Sequence, residues 1–222
     1  MDDKAIWLTG ALKVAPEPVQ VPLLWLTRLD DPTTAALASR ASLDAADFGD
    51  FAARPQSAMR AMRRKLTKVL LAALNDMHPQ AVIIVRSATG APRIIEPVGW
   101  YLSVAGQWPH CLIGVARWPL GVDIEPRGAP PPPLDAFTER ERIELSGCVG
   151  DTRLERWLMK EAHAKLFGVA AQTDANTIET FIGRAGAIAR SVSGRSTISF
   201  HHSDAIMCAM AQGDEPACQS RA

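Results

Sequence analysis

The chain has 222 residues, 47% hydrophobic and 22% charged, so it can bury a substantial core and is neither disordered nor fibrous. Twenty-four Lys+Arg balance 24 Asp+Glu. No overall field draws it to nucleic acid or to an anionic membrane, and a charged ligand has to be met by a local cluster.

Met1-Asp2-Asp3-Lys4 is acidic and no apolar run follows it, so no secretory signal is expected. Apolar stretches such as Val82 to Val85 and Cys111 to Ala116 fall far short of the about 20 residues that a membrane-spanning helix needs. The first fifty residues are loosely patterned, with short strands at Ile6 to Leu8 and Leu23 to Leu26 and Pro16, Pro18 and Pro22 between them. From Ser57 to Leu74 the period becomes helical: Met59, Met62, Leu66, Val69 and Ala73 form an apolar stripe. Arg60, Arg63, Arg64, Lys65 and Lys68 punctuate the same helix, with Arg60, Arg64 and Lys68 stacked on one face. Such a face is either hydrated or a ligand contact.

Ala81 to Arg86 reads as a strand, Ser87 to Pro92 as a turn and Arg93 to Ile95 as an extended run. Trp100 to Val104, the turn Ala105-Gly106-Gln107 and His110 to Ala116 form a hairpin, and Leu120 to Ile124 is a further short apolar segment. Pro126 to Pro133 cannot be helix and would break a sheet, so it is an exposed extended connection. Helices are expected from Phe137 to Leu145 and from Thr152 to Phe167, and a strand, turn and strand from Thr197 to Ala211.

The last hairpin parallels the earlier one: Ser103-Val104-Ala105-Gly106 before Cys111 to Ala116, and Ser199-Phe200-His201-His202 before Met207 to Ala211. An internal duplication and two unrelated hairpins both account for this. A duplication makes two α+β halves facing each other, with a ligand cleft at their junction. Cys111, Cys148, Cys208 and Cys218 are scattered, with no zinc or disulfide pattern, so a reduced, cytoplasmic protein is expected. His110, His163, His201 and His202 make no ligand spacing with them. Trp7, Trp25, Trp100, Trp108, Trp118 and Trp157 are expected in the core or a cleft wall.

Two motifs carry chemistry. In Gly121-Val122-Asp123-Ile124-Glu125-Pro126 the acids flank Ile124 at the end of an apolar strand, and residues two apart on a strand share a side. Carboxylates held that close repel unless a cation lies between them or one is protonated. A hard divalent ion resolves the repulsion; so does a strand end open to water. In Trp157-Leu158-Met159-Lys160-Glu161-Ala162-His163-Ala164-Lys165, Glu161 and Lys165 lie one helical turn apart, as in an ordinary surface pair or at a site. Lys160 points about 100° away from Glu161 on the helix and reads as a solvated flank. His163 falls on another face again.

Together, G-V-D-I-E and W-x-x-K-E-A-x-x-K resemble the 4′-phosphopantetheinyl transferase superfamily, in its larger, pseudo-dimeric branch. The likeness is close in the motifs and extends more weakly from Phe51 to Ala211. It implies an α+β fold of two similar α/β lobes related by a pseudo-twofold axis, residues 1–118 and 119–222, the second carrying the metal and catalytic motifs. It implies an enzyme that moves the 4′-phosphopantetheine arm of coenzyme A to a serine of an acyl or peptidyl carrier protein and releases adenosine 3′,5′-bisphosphate. By resemblance, Asp123, Glu125 and Glu161 bind Mg²⁺ (with Mn²⁺ as the alternative), and Glu161 and Lys165 are catalytic. Arg60, Arg64, Pro92, Arg93, Ser103 and Lys165 contact coenzyme A. The resemblance implies a monomer without nucleic-acid or membrane partners.

The sequence departs from the family pattern. Gly90-Ala91-Pro92 lacks the usual cation in its centre, Ser103-Val104-Ala105 lacks the usual histidine, and Gly168-Val169-Ala170-Ala171 replaces a G-x-G-L loop. The first two remove contacts that relatives make to the 3′-phosphate of coenzyme A, unless Arg93, Arg86 or Arg60 substitutes. A weakened member acting as a carrier-protein or nucleotide-binding module is the rival reading.

Overall fold

The computed structural model describes residues 5–12, 21–51, 56–148, 150–184 and 186–213. Met1 to Lys4, Pro16, Pro18 and Cys218 lie outside them. The fold is α+β, and the chain divides into two compact units, Met1–Trp118 and Pro119–Ala222.

In the first unit the order is β1 (Ile6–Thr9), β2 (Leu23–Arg28), α1 (Pro32–Ala38), α2 (Ala45–Phe51), α3 (Ser57–Leu74), β3 (Ile83–Arg86), β4 (Pro92–Glu96), β5 (Tyr101–Ala105) and β6 (His110–Ala116). The main sheet runs β1-β2-β6-β5, with β1 parallel to β2 and the other pairs antiparallel. The β3–β4 hairpin is separate. Leu66, Leu70, Leu71 and Leu74 of α3 share one core with Trp25, Trp100, Ile113 and Val115.

The polar side of α3 is not a hydrated face. Asp47 of α2 is buried and takes Arg64 Nη1 at 2.6 Å and Lys68 Nζ at 2.6 Å, while Arg64 Nη2 reaches Asp50 Oδ2 at 2.8 Å. Burying charges is costly unless they are paired in this way, so the acids of 44–50 decide where Arg64 and Lys68, two of the five basic residues of α3, point.

Helices α1 and α2 fall in the stretch that shows little periodicity, because seven-residue helices are too short to display one. Asp31 caps α1 by accepting from the Thr33 amide at 2.7 Å, with Pro32 in the first turn.

The second unit comprises β7 (Leu120–Pro126), α4 (Glu139–Leu145), α5 (Thr152–Leu166), β8 (Glu179–Gly183), β9 (Gly186–Ser191), β10 (Gly194–His202) and β11 (Ile206–Gly213). Its sheet is antiparallel throughout, ordered β7-β11-β10-β9-β8. The hairpin β8–β9 is not expected from the sequence. Leu154, Leu158, Ala162 and Leu166 of α5 pack on Ala187, Ala189, Ile198, Met207, Ala209 and Ala211. No helix among the described residues is long and apolar enough to cross a membrane.

Lys160 is not a solvated flank. It is 1% exposed, and its Nζ meets Glu141 Oε2 at 2.6 Å, the Ala175 carbonyl at 2.9 Å and the Ile178 carbonyl. Glu141 completes a capping box with Thr138 at the start of α4 and accepts from the Thr180 amide at 2.8 Å. Desolvation alone would raise the Glu141 carboxyl, but the hydrogen bonds from Lys160, Thr180 and Thr138 outweigh it and hold it below the usual range.

Lys160→Met is expected to lower the unfolding free energy by about 3–5 kcal/mol, since an uncompensated buried carboxylate remains. Glu141→Leu combined with Lys160→Met should recover most of that loss in urea denaturation. Because folding depresses the Glu141 pKa, its contribution is complete above the ordinary glutamate range and disappears as pH falls through the folded value. The double variant should therefore be less acid-sensitive than the native chain.

Candidate active site

The site begins with a missing side chain. A Cβ at Gly121 would lie 1.9 Å from the Ala162 carbonyl oxygen and 2.4 Å from the Leu166 nitrogen, so only glycine lets the backbone of α5 lie directly on β7. Two residues along the same side of β7 comes Asp123, then Glu125, opposite Ala209 and Met207 of β11. Ala162 marks the line of contact on α5, and Glu161 and Lys165 stand beside it one turn apart.

The close approach brings Lys165 Nζ to 2.5 Å from Asp123 Oδ1. Asp123 is 7% exposed and Lys165 partly exposed. Burial pushes the Asp123 carboxyl above its usual range, opposed by Lys165. The Glu161 carboxyl is likewise pushed up by burial and then by the Asp123 charge, again opposed by Lys165. Glu125 is pushed up to about 7 by burial and Asp123, with Glu161 adding to the rise, while Lys165 and the Trp157 indole oppose it. Three carboxylates thus feel one another around a single ammonium.

Among the described residues no group of three or more His, Cys, Asp and Glu side chains is already spaced to hold a metal ion. Of the two Asp123 carboxylate oxygens, Oδ1 accepts a hydrogen bond from Lys165 Nζ.

Two further features fix α5. His163 is buried, with Nδ1 2.8 Å from Ser196 Oγ and Nε2 2.9 Å from Ser191 Oγ, and burial lowers its pKa to about 4, so a neutral imidazole ties the helix to β9 and β10. After Leu166 the chain turns through Gly168 at φ +70°, where the Val169 and Gly168 amides return to the Ala164 and Lys165 carbonyls, a Schellman closure that ends the helix just past Lys165. Helical spacing alone places His163 on another face and gives no sign of this anchoring role, because its serine partners come from strands far along the chain.

The expected coenzyme A contacts Arg60, Arg64, Pro92, Arg93 and Ser103 belong to the first unit. Arg60 and Pro92 are half-buried, Arg93 is exposed on β4, and Ser103 is buried on β5 opposite Gly114. Arg64 is 7% exposed and its guanidinium is taken by Asp47, Asp50 and the Ile84 carbonyl, leaving it no free edge for a ligand. Trp25 and Trp100 are core residues as expected, whereas Trp108, in the connection between β5 and β6, is 61% exposed.

Residues 119–214 match the family model ACPS, the 4′-phosphopantetheinyl transferase superfamily. The matched segment spans every strand and helix of the second unit, β7 to β11. It supports a transferase of the phosphopantetheinyl transferase kind. No curated protein matches the chain.

Gly121→Ala should destabilise the chain by about 3 kcal/mol or more, because the obstacle is helix backbone and not a side chain that can swing away. Denaturation measures that loss, and spreading of α5 from β7 should break the Asp123–Lys165 pair. A Gly121→Ala variant of native stability would show that the helix does not rest on this glycine.

Proposed function

We propose that the chain transfers the 4′-phosphopantetheine arm of coenzyme A to a serine of an acyl or peptidyl carrier protein, as a member of the larger, two-lobed branch of these transferases. The observation that carries this reading is the mutual elevation of Asp123, Glu125 and Glu161 around Lys165, within the segment that matches the superfamily. Three carboxylates against one ammonium leave excess negative charge in a partly desolvated place, and hard oxygen donors of this kind suit a hard divalent cation.

Asp123, Glu125 and Glu161 would hold Mg²⁺, or Mn²⁺ as the alternative, which when bound supplies Lewis-acid polarisation of phosphoryl oxygens and a template for them. In the reaction the carrier serine oxygen bonds to the β-phosphorus while the bond from that phosphorus to the oxygen bridging to the α-phosphate breaks, releasing adenosine 3′,5′-bisphosphate. Glu161, its carboxyl raised by burial, takes the serine proton. Lys165 Nζ, held at the end of α5, offsets the charge growing on the departing bisphosphate. Phosphoryl transfer of this kind asks chiefly for positioning, and the backbone contact at Gly121 supplies it. Arg60, Pro92, Arg93 and Ser103 are proposed for the donor. Arg64 is not retained, because Asp47 and Asp50 already claim it.

Incubation with an apo carrier protein, coenzyme A and Mg²⁺ should add one phosphopantetheine to the carrier by mass spectrometry. Asp123→Ala and Glu161→Ala should each slow this by about a hundredfold or more. Chelation should abolish the gain and added Mg²⁺ restore it. A carrier that binds but keeps its mass would replace the transferase reading with a binding module, and release of inorganic phosphate would point to a phosphatase.

A further inference from the structure

Between β7 and α4 runs Ala129-Pro130-Pro131-Pro132-Pro133-Leu134, the proline stretch that the transferase reading leaves without a role. Each proline fixes its own φ at about −65°, and each residue before a proline is pushed out of the helical region into the extended one. Residues 129–132 all precede a proline, so the run is driven into polyproline II. Pro133 shows the result, with φ −63° and ψ 154°.

Polyproline II turns once in about three residues, and exposure along the run follows that period. Ala129 and Pro132 are half-buried, Ala129 against the core of the second unit. Pro130, Pro131, Pro133 and Leu134 are exposed, Leu134 by 41%. One ridge, 129 with 132, therefore faces the protein, and two ridges, 130 with 133 and 131 with 134, face solvent. The run is tethered at both ends. Before it, Arg127 donates through Nε to the Ser203 carbonyl at 2.6 Å and through Nη1 to Asp151 Oδ2 at 2.8 Å. After it, the Ala136 amide donates to the Pro133 carbonyl at 3.1 Å, and Phe137 is buried in the core. A connection asks only for length. This one is already held in a single extended form, so a partner has little left to order when it binds. Polyproline II makes no internal hydrogen bonds, which leaves its carbonyls to a partner's donors.

We propose that residues 129–134 are a recognition segment for a folded protein module with an aromatic-lined groove for polyproline II, whose pockets take the two outward ridges. The ridges set the partner's chemistry: proline rings and a leucine side chain suit aromatic walls, and backbone carbonyls suit tyrosine or tryptophan donors. None of the carboxylates around Lys165 takes part, so the proposal goes beyond the transferase reading and does not rest on it.

Titration of the native full chain into purified, isotope-labelled SH3 and WW domains, read by amide chemical-shift changes, tests the segment. At least one domain should show saturable shifts in its aromatic groove, and a peptide of residues 128–135 should displace the chain. Pro130→Ala combined with Pro133→Ala, and separately Leu134→Ser, should weaken binding about tenfold or more, since each strips an outward ridge. Pro132→Ala, on the inward ridge, should weaken it much less. Urea denaturation of the Leu134→Ser chain should match the native one, which separates lost recognition from lost folding. Failure of every SH3 and WW domain to bind, or equal binding by the native chain and both outward-ridge variants, would overturn the proposal and return the run to a plain connection. Self-association of the native chain in sedimentation, lost in the same variants, would overturn it too and give the ridges to a second copy of this chain.

Discussion

The second unit depends on a helix touching a strand through its backbone. With no side chain at Gly121, the Ala162 carbonyl and Leu166 amide of α5 come down onto β7, and the gap between helix and sheet falls below what any other residue allows. A contact of that kind leaves little freedom to slide or rotate, because main chain cannot repack as side chains do. Asp123 and Glu125 lie on the strand face that meets the helix, and Glu161 and Lys165 flank the contact, so their meeting follows from it. Lys160 is bolted to Glu141 on one side of α5 and His163 to Ser191 and Ser196 on another, which hold the helix at one rotation.

Charge is handled by two different rules in this chain. Where acids and bases balance, as in Asp47 and Asp50 with Arg64 and Lys68 or Glu141 with Lys160, the groups are paired and largely buried. Where they do not balance, the protein holds chemical potential. The carboxylates around Lys165 outnumber their cation, and Arg63 has no acid at all among the described residues. The carboxylate excess sits at a place prepared by Gly121, where close backbone approach costs the chain a side chain it could otherwise have packed.

Much of the framework was legible in the residues. The apolar stripe of 57–74 gave a helix whose observed bounds, Ser57–Leu74, agree with the expectation, and the hairpins around Gly106 and before Ile206 followed from short apolar runs broken by turn residues. The helices α1 and α2 escaped periodicity, although Asp31-Pro32 is a start signal for α1 and Thr138 with Glu141 is one for α4. The strands β8 and β9 escaped it too: Glu179–Gly183 and Gly186–Ser191 are short and mix glycine, alanine and charge, and they become strands because β10 offers an edge to pair with.

By itself the sequence determined which residues can share a face: Asp123 with Glu125 on a strand, Glu161 with Lys165 on a helix, Arg60 with Arg64 on another. Those relations are local, set by the repeat of one element, and need no knowledge of neighbours. Only the tertiary structure decided which of these faces meet an acid, a base or a backbone. Lys160 and Glu161 are adjacent in the chain, yet one is locked to Glu141 and the other stands among carboxylates, because α4 and β7 approach α5 from different sides. Arg63 and Arg64 part in the same way, since Asp47 reaches one and Gly106 underlies the other. Pairing across elements depends on distances that no single helix or strand contains.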